Sequence, residues 1–161
     1  MNIRKAAASD AAAIAAIIIP IIREGTTYTL DPDMSESEAL AYWMGRDKKT
    51  FVAEQDGVIL GTYYMRPNQA GGGRHVCNCG YMTRAGATGR GIARGMCEHS
   101  LAHARLRGYR AMQFNFVVSS NERAVNLWSS LGFEVVGRLP RAFQHPELGF
   151  VDALVMYKTP L

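Results

Sequence analysis

Apolar and polar positions recur along this chain with two periods, and the switches between them outline an order of strands and helices. Asn2 to Lys5 reads as a short first strand. Ile14, Ile17, Ile18, Ile21 and Ile22 follow at three- and four-residue steps, the spacing of one helix face. Ser9 or Asp10 can cap that helix. Pro20 is expected to kink or split it, because proline removes a main-chain bond and crowds the preceding turn. Ser35-x-x-Glu38 has the form of a capping box and opens a second short helix carrying Leu40 and Trp43. Phe51 to Glu54 and Val58 to Met65 flank Asp56-Gly57, a dipeptide suited to a tight hairpin. His75 to Met82 is another strand. Gly91 to Arg107 reads as a helix with Ala93, Met96, Cys97, Leu101 and Ala104 along one side and Gly108 as its stop. Met112 to Val118 is a strand, and Glu122 to Leu131 a helix closed by Gly132. Phe133 to Val136 and Ala153 to Lys158 complete the set. The order β-α-α-β-β-β-α-β-α-β-β predicts a mixed sheet with helices on its faces.

At 161 residues, with 48% hydrophobic and 20% charged side chains, the chain suits a single domain over residues 1–161 with its own core. Its longest apolar run, Ala11 to Ile22, is interrupted by Pro20 and is too short to span a bilayer. Ser9 and Asp10 stand where a secretory leader would need unbroken apolar sequence, and three cysteines do not make a disulfide framework. A soluble cytoplasmic protein without membrane contact is expected. Eighteen basic against fourteen acidic residues give a net charge of +4, and fourteen of the eighteen are arginine. Arg105, Arg107 and Arg110 read as a solvated helix face. Arg84, Arg90 and Arg94 sit among glycines, where a planar fork of donors suits phosphate.

Strand 75–82 runs into Thr83-Arg84-Ala85-Gly86-Ala87-Thr88-Gly89-Arg90-Gly91-Ile92-Ala93 and then directly into a helix. Such a turn presents backbone N–H groups at the positive end of the helix dipole, and glycine lets a phosphate come close. No Gly-Lys-Ser/Thr follows, which excludes a P-loop, and no single G-x-G-x-x-G is present. After the next strand comes Asn121-Glu122-Arg123-Ala124-Val125-Asn126-Leu127-Trp128-Ser129-Ser130-Leu131-Gly132-Phe133. Together with the turn, this segment resembles the GNAT (Gcn5-related) N-acetyltransferase superfamily. Its turn reads Q/R-x-x-G-x-G/A and its later helix N-x-x-A-x-x-L-Y-x-x-x-G-F. Here Thr88 departs from the opening Gln/Arg, and Trp128 replaces the helix tyrosine.

The resemblance covers essentially the whole chain. It implies an α/β (α+β) fold, with a mixed, mostly antiparallel sheet of six to seven strands flanked by helices and splayed between strands 4 and 5. It implies an enzyme with acetyl-CoA as co-substrate and no metal, acting on a small-molecule amine or amino acid. Many relatives dimerise, so a homodimer is expected. Pyrophosphate contacts would fall on Gly89, Arg90, Gly91, Ile92 and Ala93. Thr88 would add a hydroxyl, and Arg84, Arg90 or Arg94 the missing charge. Backbone groups of Tyr81, Met82 and Thr83 would pair with pantetheine as a false strand, and Asn121 would reach the cofactor from its helix start. A protein or peptide N-acetyltransferase is the alternative, and the arginine excess argues mildly against it. A nucleic-acid-binding module would need aromatic–basic interleaving that is missing here, so no nucleic-acid partner is expected.

Acetyl transfer needs a neutral nucleophile, a stabilised oxyanion and a proton for the leaving thiolate. The family commonly draws that proton from the helix tyrosine, which an indole N–H cannot replace. Trp128 is therefore expected to pack against pantetheine or wall the acceptor pocket. Tyr28, Tyr63 and Tyr81 remain unranked as acids. Asn78 and Asn115 lie mid-strand, where a buried amide is costly unless paired. They either brace the sheet or point into the notch as catalytic groups holding the acceptor or the thioester oxygen. With Asn121, Tyr81 and Trp128, they make the chain similar to the fungal branch that acetylates the proline analogue azetidine-2-carboxylate. There the matching asparagines bind and polarise substrate and the matching aromatics flank it. Gly132-Phe133-Glu134…His145-Pro146…Gly149-Phe150-Val151-Asp152 shares that branch's pattern. Thr27 and Tyr28 fall where the family builds its acceptor rim. His75, Cys77 and Cys79 share a strand face but have no fourth ligand at a recognisable spacing, and buried thiols explain them better. His145 is placed in a long loop near the end.

Overall fold

The computed structural model describes all 161 residues. Seven strands form one sheet: β1 (Asn2–Lys5), β2 (Lys49–Gln55), β3 (Val58–Pro67), β4 (Val76–Thr83), β5 (Ala111–Val118), β6 (Glu134–His145) and β7 (Gly149–Lys158). Four helices, α1 (Ala11–Glu24), α2 (Glu36–Trp43), α3 (Ile92–Leu106) and α4 (Glu122–Ser130), interrupt them in the order the periodicity predicts. In space the strands run β1-β2-β3-β4-β5-β7-β6. Every pairing is antiparallel except that of β4 with β5. The mixed, mostly antiparallel sheet expected from the resemblance is therefore present.

One apolar cluster joins Ile14, Ile17, Ile18 and Ile22 of α1 and Trp43 of α2 to Val52, Ile59, Tyr64 and Met82 of the sheet. A second brings Met96, Cys97 and Leu101 of α3 and Trp128 of α4 against Phe51, Tyr63, Cys77, Cys79 and Phe114. Pro20 does not split α1. The helix continues past it and stops at Gly25, whose left-handed φ of 68° only glycine adopts cheaply. A helical proline costs about 3 kcal/mol, while each isoleucine buried in full contributes roughly 1.5–3 kcal/mol, so the stripe outweighs the break.

Local signals held elsewhere with two exceptions. The box at Ser35 forms as read, with the Glu38 N–H donating to Ser35 Oγ at 3.1 Å and the Ser35 N–H to Glu38 Oε1 at 3.3 Å. Asp56 and Gly57 take φ of 52° and 77°, the turn that joins twisted antiparallel strands. Asp10, however, does not cap α1 with its side chain. Its carboxylate accepts the Ala7 N–H at 2.7 Å and pairs with Arg4 at 2.8 Å, closing the turn ahead of the helix. That guanidinium holds the carboxyl below its ordinary range. The final hairpin is also longer than expected. β6 is an edge strand exposed over most of its length, so burial imposes no alternation on it. His145 consequently ends β6 instead of lying in a loop, and its Nδ1 accepts the N–H groups of Glu147 and Leu148 at 3.1 Å.

Candidate active site

The parallel pair β4–β5 keeps register over two residue pairs only, Val76 with Ala111 and Cys77 with Met112. Beyond them the strands part, and the sheet opens into a notch. The Asn78 amide sits where the ladder fails, and its Nδ2 donates to the Gln113 carbonyl at 2.9 Å. Main-chain bonds on Val76 and Arg84 point toward β3, to Asn68 and Leu60 respectively. By strand parity, the backbone groups of Cys79, Tyr81 and Thr83 therefore face the notch, and those of Met82 face β3. Met82 meets the notch with its buried side chain instead.

Tyr28 occupies part of this free edge. The Tyr81 N–H donates to the Tyr28 hydroxyl at 2.8 Å, and that hydroxyl donates to the Tyr81 carbonyl at 2.7 Å. One phenol thus satisfies both backbone groups that a neighbouring strand would otherwise bond. Burial pushes the Tyr28 phenol well above the ordinary tyrosine value, so it stays protonated.

On one side of the notch lies a cavity of about 650 Å³ that reaches the glycine turn. Gly86, Gly89 and Gly91 all adopt left-handed φ, between 79° and 84°, and a Cβ on any of them would meet open space. Gly91 starts α3 without a side-chain cap. The first N–H groups of that helix thus have no partner within it and face the turn. Thr83, Thr88, Gly89, Gly91, Ile92, Ala93 and Arg94 line this cavity. Arg90 does not, and the Arg84 guanidinium turns away to the Ile59 carbonyl at 3.4 Å. Arg94 bonds Ser130 Oγ at 2.8 Å beside the opening, with Arg123 also at the wall.

On the other side is a smaller cavity of about 270 Å³ that takes in Asn78 and Asn115. Thr27, Tyr28, Tyr81, Asn121 and Trp128 line both cavities and mark where they meet. Asn121 begins α4, yet its amide makes no capping bond. The Trp128 ring lies 5.0 Å from Tyr81 and 5.1 Å from Phe114, centroid to centroid, forming a packed aromatic wall. Asn115 is exposed and donates to Asn68 Oδ1 at 2.7 Å while accepting from Gln113. Of the three phenols considered as acids, two point elsewhere. Tyr63 bonds His99 Nδ1 at 2.8 Å, and Tyr81 bonds Ser100 Oγ at 2.7 Å. Only the Tyr28 hydroxyl is held in the notch.

Sequence reasoning missed Tyr42, Tyr64 and Arg66, which line the smaller cavity, and Arg123 at the larger one. No local signal marked them: it is the β3–β4 register that sets Tyr64 opposite Gly80 and Arg66 opposite Asn78, on one face. Gly80 is obligatory there, because a Cβ would sit 2.6 Å from the Tyr64 ring. No carboxylate or imidazole lines the smaller cavity. Cys77 and Cys79 are free, buried thiols beneath α3.

The model of the Acetyltransferase (GNAT) family matches residues 18–133. The chain is 26% identical to the N-acetyltransferase aca1 of Schizosaccharomyces pombe, over 83% of its own length and 72% of that protein's. A GCN5-related N-acetyltransferase from Kribbella flavida superposes with a TM-score of 0.93 at 41% identity, covering 99% of this chain and 97% of that one. A GNAT superfamily phosphinothricin acetyltransferase from Sinorhizobium meliloti, solved in complex with acetyl-CoA, shares the fold with a TM-score of 0.85 at 20% identity, over 99% and 88% of the two chains. A match this extensive, through the same turn and helix that shape the notch, makes this chain a member of the GNAT acetyltransferase family, an acetyl-CoA-dependent N-acetyltransferase.

Proposed function

We propose that residues 1–161 act as one catalytic unit that acetylates the amino group of a small molecule, an amino acid or a proline analogue among the candidates. The smaller cavity carries this reading. At about 270 Å³ it lies just below the usual span of roughly 300–1,000 Å³ for drug-sized ligands, with room for an acceptor of amino-acid size and little for a peptide. The fungal-branch pattern at Asn78, Asn115 and Asn121 favours the same class.

The larger cavity fits acetyl-CoA on this chain's own geometry: left-handed glycines opening onto space, an uncapped helix start, and two arginines at the wall. When bound, acetyl-CoA supplies the activated acetyl group and a thiolate leaving group. The amides of Gly89, Gly91, Ile92 and Ala93 bind its diphosphate, helped by Thr88 and Arg94, because the helix start concentrates unpaired N–H donors and positive potential. Thr83 offers the free backbone pair that a pantetheine amide needs, beyond the pair Tyr28 already holds on Tyr81. Trp128 walls the junction, and Asn121 points its uncommitted amide into it. Asn78 and Asn115 hold the acceptor or the acyl oxygen. Since no carboxylate or imidazole lines the acceptor cavity, and the Arg66 guanidinium there stays protonated, the ammonium loses its proton to water, and the chain contributes orientation and hydrogen bonds.

The three free cysteines suit the reducing cytoplasm. No helix is long and apolar enough to cross a membrane. Val135, Val136, Leu139, Leu148 and Phe150 are exposed apolar side chains spread along the terminal hairpin, an edge that suits a homodimer contact. The test of function is CoA release from acetyl-CoA across amino acids, cyclic imino acids, polyamines and peptides with free N-termini. The reading requires turnover on small amines, and peptides turned over in their place would overturn it.

A further inference from the structure

The acceptor cavity contains one ionised side chain, and the fold leaves part of it unused. Arg66 lies on β3 directly opposite Asn78. It is the sole charged group among the lining residues. Its Nε is shielded from solvent and has no hydrogen-bond partner in the protein. The nearest carboxylate, Asp47, stands 3.7 Å from Nη1, a long contact, and is 58% exposed. Asp47 is also shared with Lys48, whose Nζ lies 3.2 Å from the same oxygen and 4.1 Å from the centre of the Tyr42 ring. Two cations therefore divide one solvated carboxylate, and positive charge is left over at the cavity's outer end.

The Arg66 side chain is nevertheless 32% exposed, so its terminal N–H groups can meet an occupant, and a guanidinium presents donors in the planar spacing that an anionic oxygen pair fits. We propose that Arg66 is an anion-reading subsite and that the acceptor carries a carboxylate alongside its amine. The carboxylate binds at Arg66, on the β3 side. The amine is thereby directed toward Tyr81 and Trp128, where the two cavities meet. The phenol groups of Tyr42 and Tyr64, 3.4 Å apart, border the same end and supply further neutral donors. Opposite placement fixes the direction of the acceptor in the cavity, with charge at one end and nucleophile at the other.

This inference rests on the small-molecule reading above, and the experiment separates the two. Steady-state CoA release is measured on matched sets: proline, prolinamide and pyrrolidine, then alanine, alaninamide and ethylamine, with β-alanine to vary the spacing. In every set that turns over, the carboxylate member should exceed its amide by about tenfold to a hundredfold in kcat/KM, the range for a hydrogen bond to a charged group. Arg66→Met should bring that ratio to within about threefold of one, chiefly through KM, with melting temperature and CoA affinity as in the parent. Arg66→Lys should fall between, since a point charge lacks the fork. Equal use of acid and amide by the parent protein overturns the inference while leaving small-molecule acetylation in place, and this ratio needs no variant to fold. An undiminished ratio in a natively melting Arg66→Met overturns it too. If none of these amines is acetylated, the small-molecule reading falls and the Arg66 subsite falls with it.

Discussion

Asn78 and Asn115 looked equivalent as mid-strand amides, yet their partners differ, and so do the expected effects of removing them. Asn78 is buried and bonds a main-chain carbonyl at the point where β4 and β5 separate, so it serves the scaffold whether or not it also meets substrate. Asn78→Ala should lower stability by about 1–3 kcal/mol, because the Gln113 carbonyl loses its partner. Asn115 is exposed and bonds only other side-chain amides. Asn115→Ala should melt like the parent while turnover falls about 10²–10³-fold, the usual loss for one preorganised oxyanion donor. Thermal melts and single-turnover rates measured on the same preparations separate the two effects. Normal turnover in Asn115→Ala would remove that residue from the chemistry. Tyr28 invites a third substitution. Tyr28→Phe keeps the ring but leaves the Tyr81 N–H and carbonyl without their shared partner, so a loss of about 1–3 kcal/mol is expected. At this chain length that corresponds to a fall of several degrees in melting temperature. An unchanged melt would mean that those backbone groups find another partner.

At the level of the element, β4, the glycine turn and α3 act as one device. The strand provides a half-paired edge, the turn brings three left-handed glycines into the open, and the helix adds its first N–H groups. Gly91→Glu tests the whole device. It forces a non-glycine residue into a φ of 79° and places a carboxylate at the positive helix end, where the diphosphate is expected. Calorimetry should show CoA binding lost, and binding at the parent affinity would move the cofactor off this turn.

Across the whole molecule, burial of two histidines on α3 links stability to pH. His99 bonds Tyr63, and the buried Nε2 of His103 has no partner. Burial holds both below the ordinary histidine value of 6.5, and for His103 the neighbouring His99, Lys49 and Arg107 add to the effect. A depressed folded value means that the unfolded chain binds more protons below about pH 6.5. Stability should therefore be constant above that point and fall as the pH drops through it toward the folded values. The carboxylates of Asp10 and Asp152 act in a separate window, below their ordinary 3.8, because Arg4 and the Arg141 N–H with Arg138 hold them ionised in the fold. Melting temperatures between pH 7 and 5 should show the slope, and His103→Phe should flatten it. A slope unchanged by that variant would place its origin elsewhere.

Much of this protein was legible from local pattern alone. The isoleucine stripe, the Ser35 box, the Asp56-Gly57 turn and the glycine-rich entry to α3 are each set by residues within a few positions of one another, where backbone sterics and capping need no distant partner. The two family motifs belong to the same class, which is why the fold and the cofactor end could be read. Pro20 and the length of β6 could not. The first depended on how deeply the isoleucines would be buried, and the second on β6 lying at an edge where nothing constrains its pattern. At the acceptor end, Thr27, Tyr28, Asn78, Tyr81, Asn115 and Trp128 were named from sequence and all line the smaller cavity, but their partners required tertiary structure. Tyr28 reaches Tyr81 across 53 residues, and Asn78 reaches Gln113 across 35. Arg66 matters only because strand register sets it beside Asn78 over a cavity that Tyr42 closes from α2. Register and parity belong to pairs of segments, so no local pattern marked Tyr42, Tyr64 or Arg66 as neighbours of the two strand asparagines.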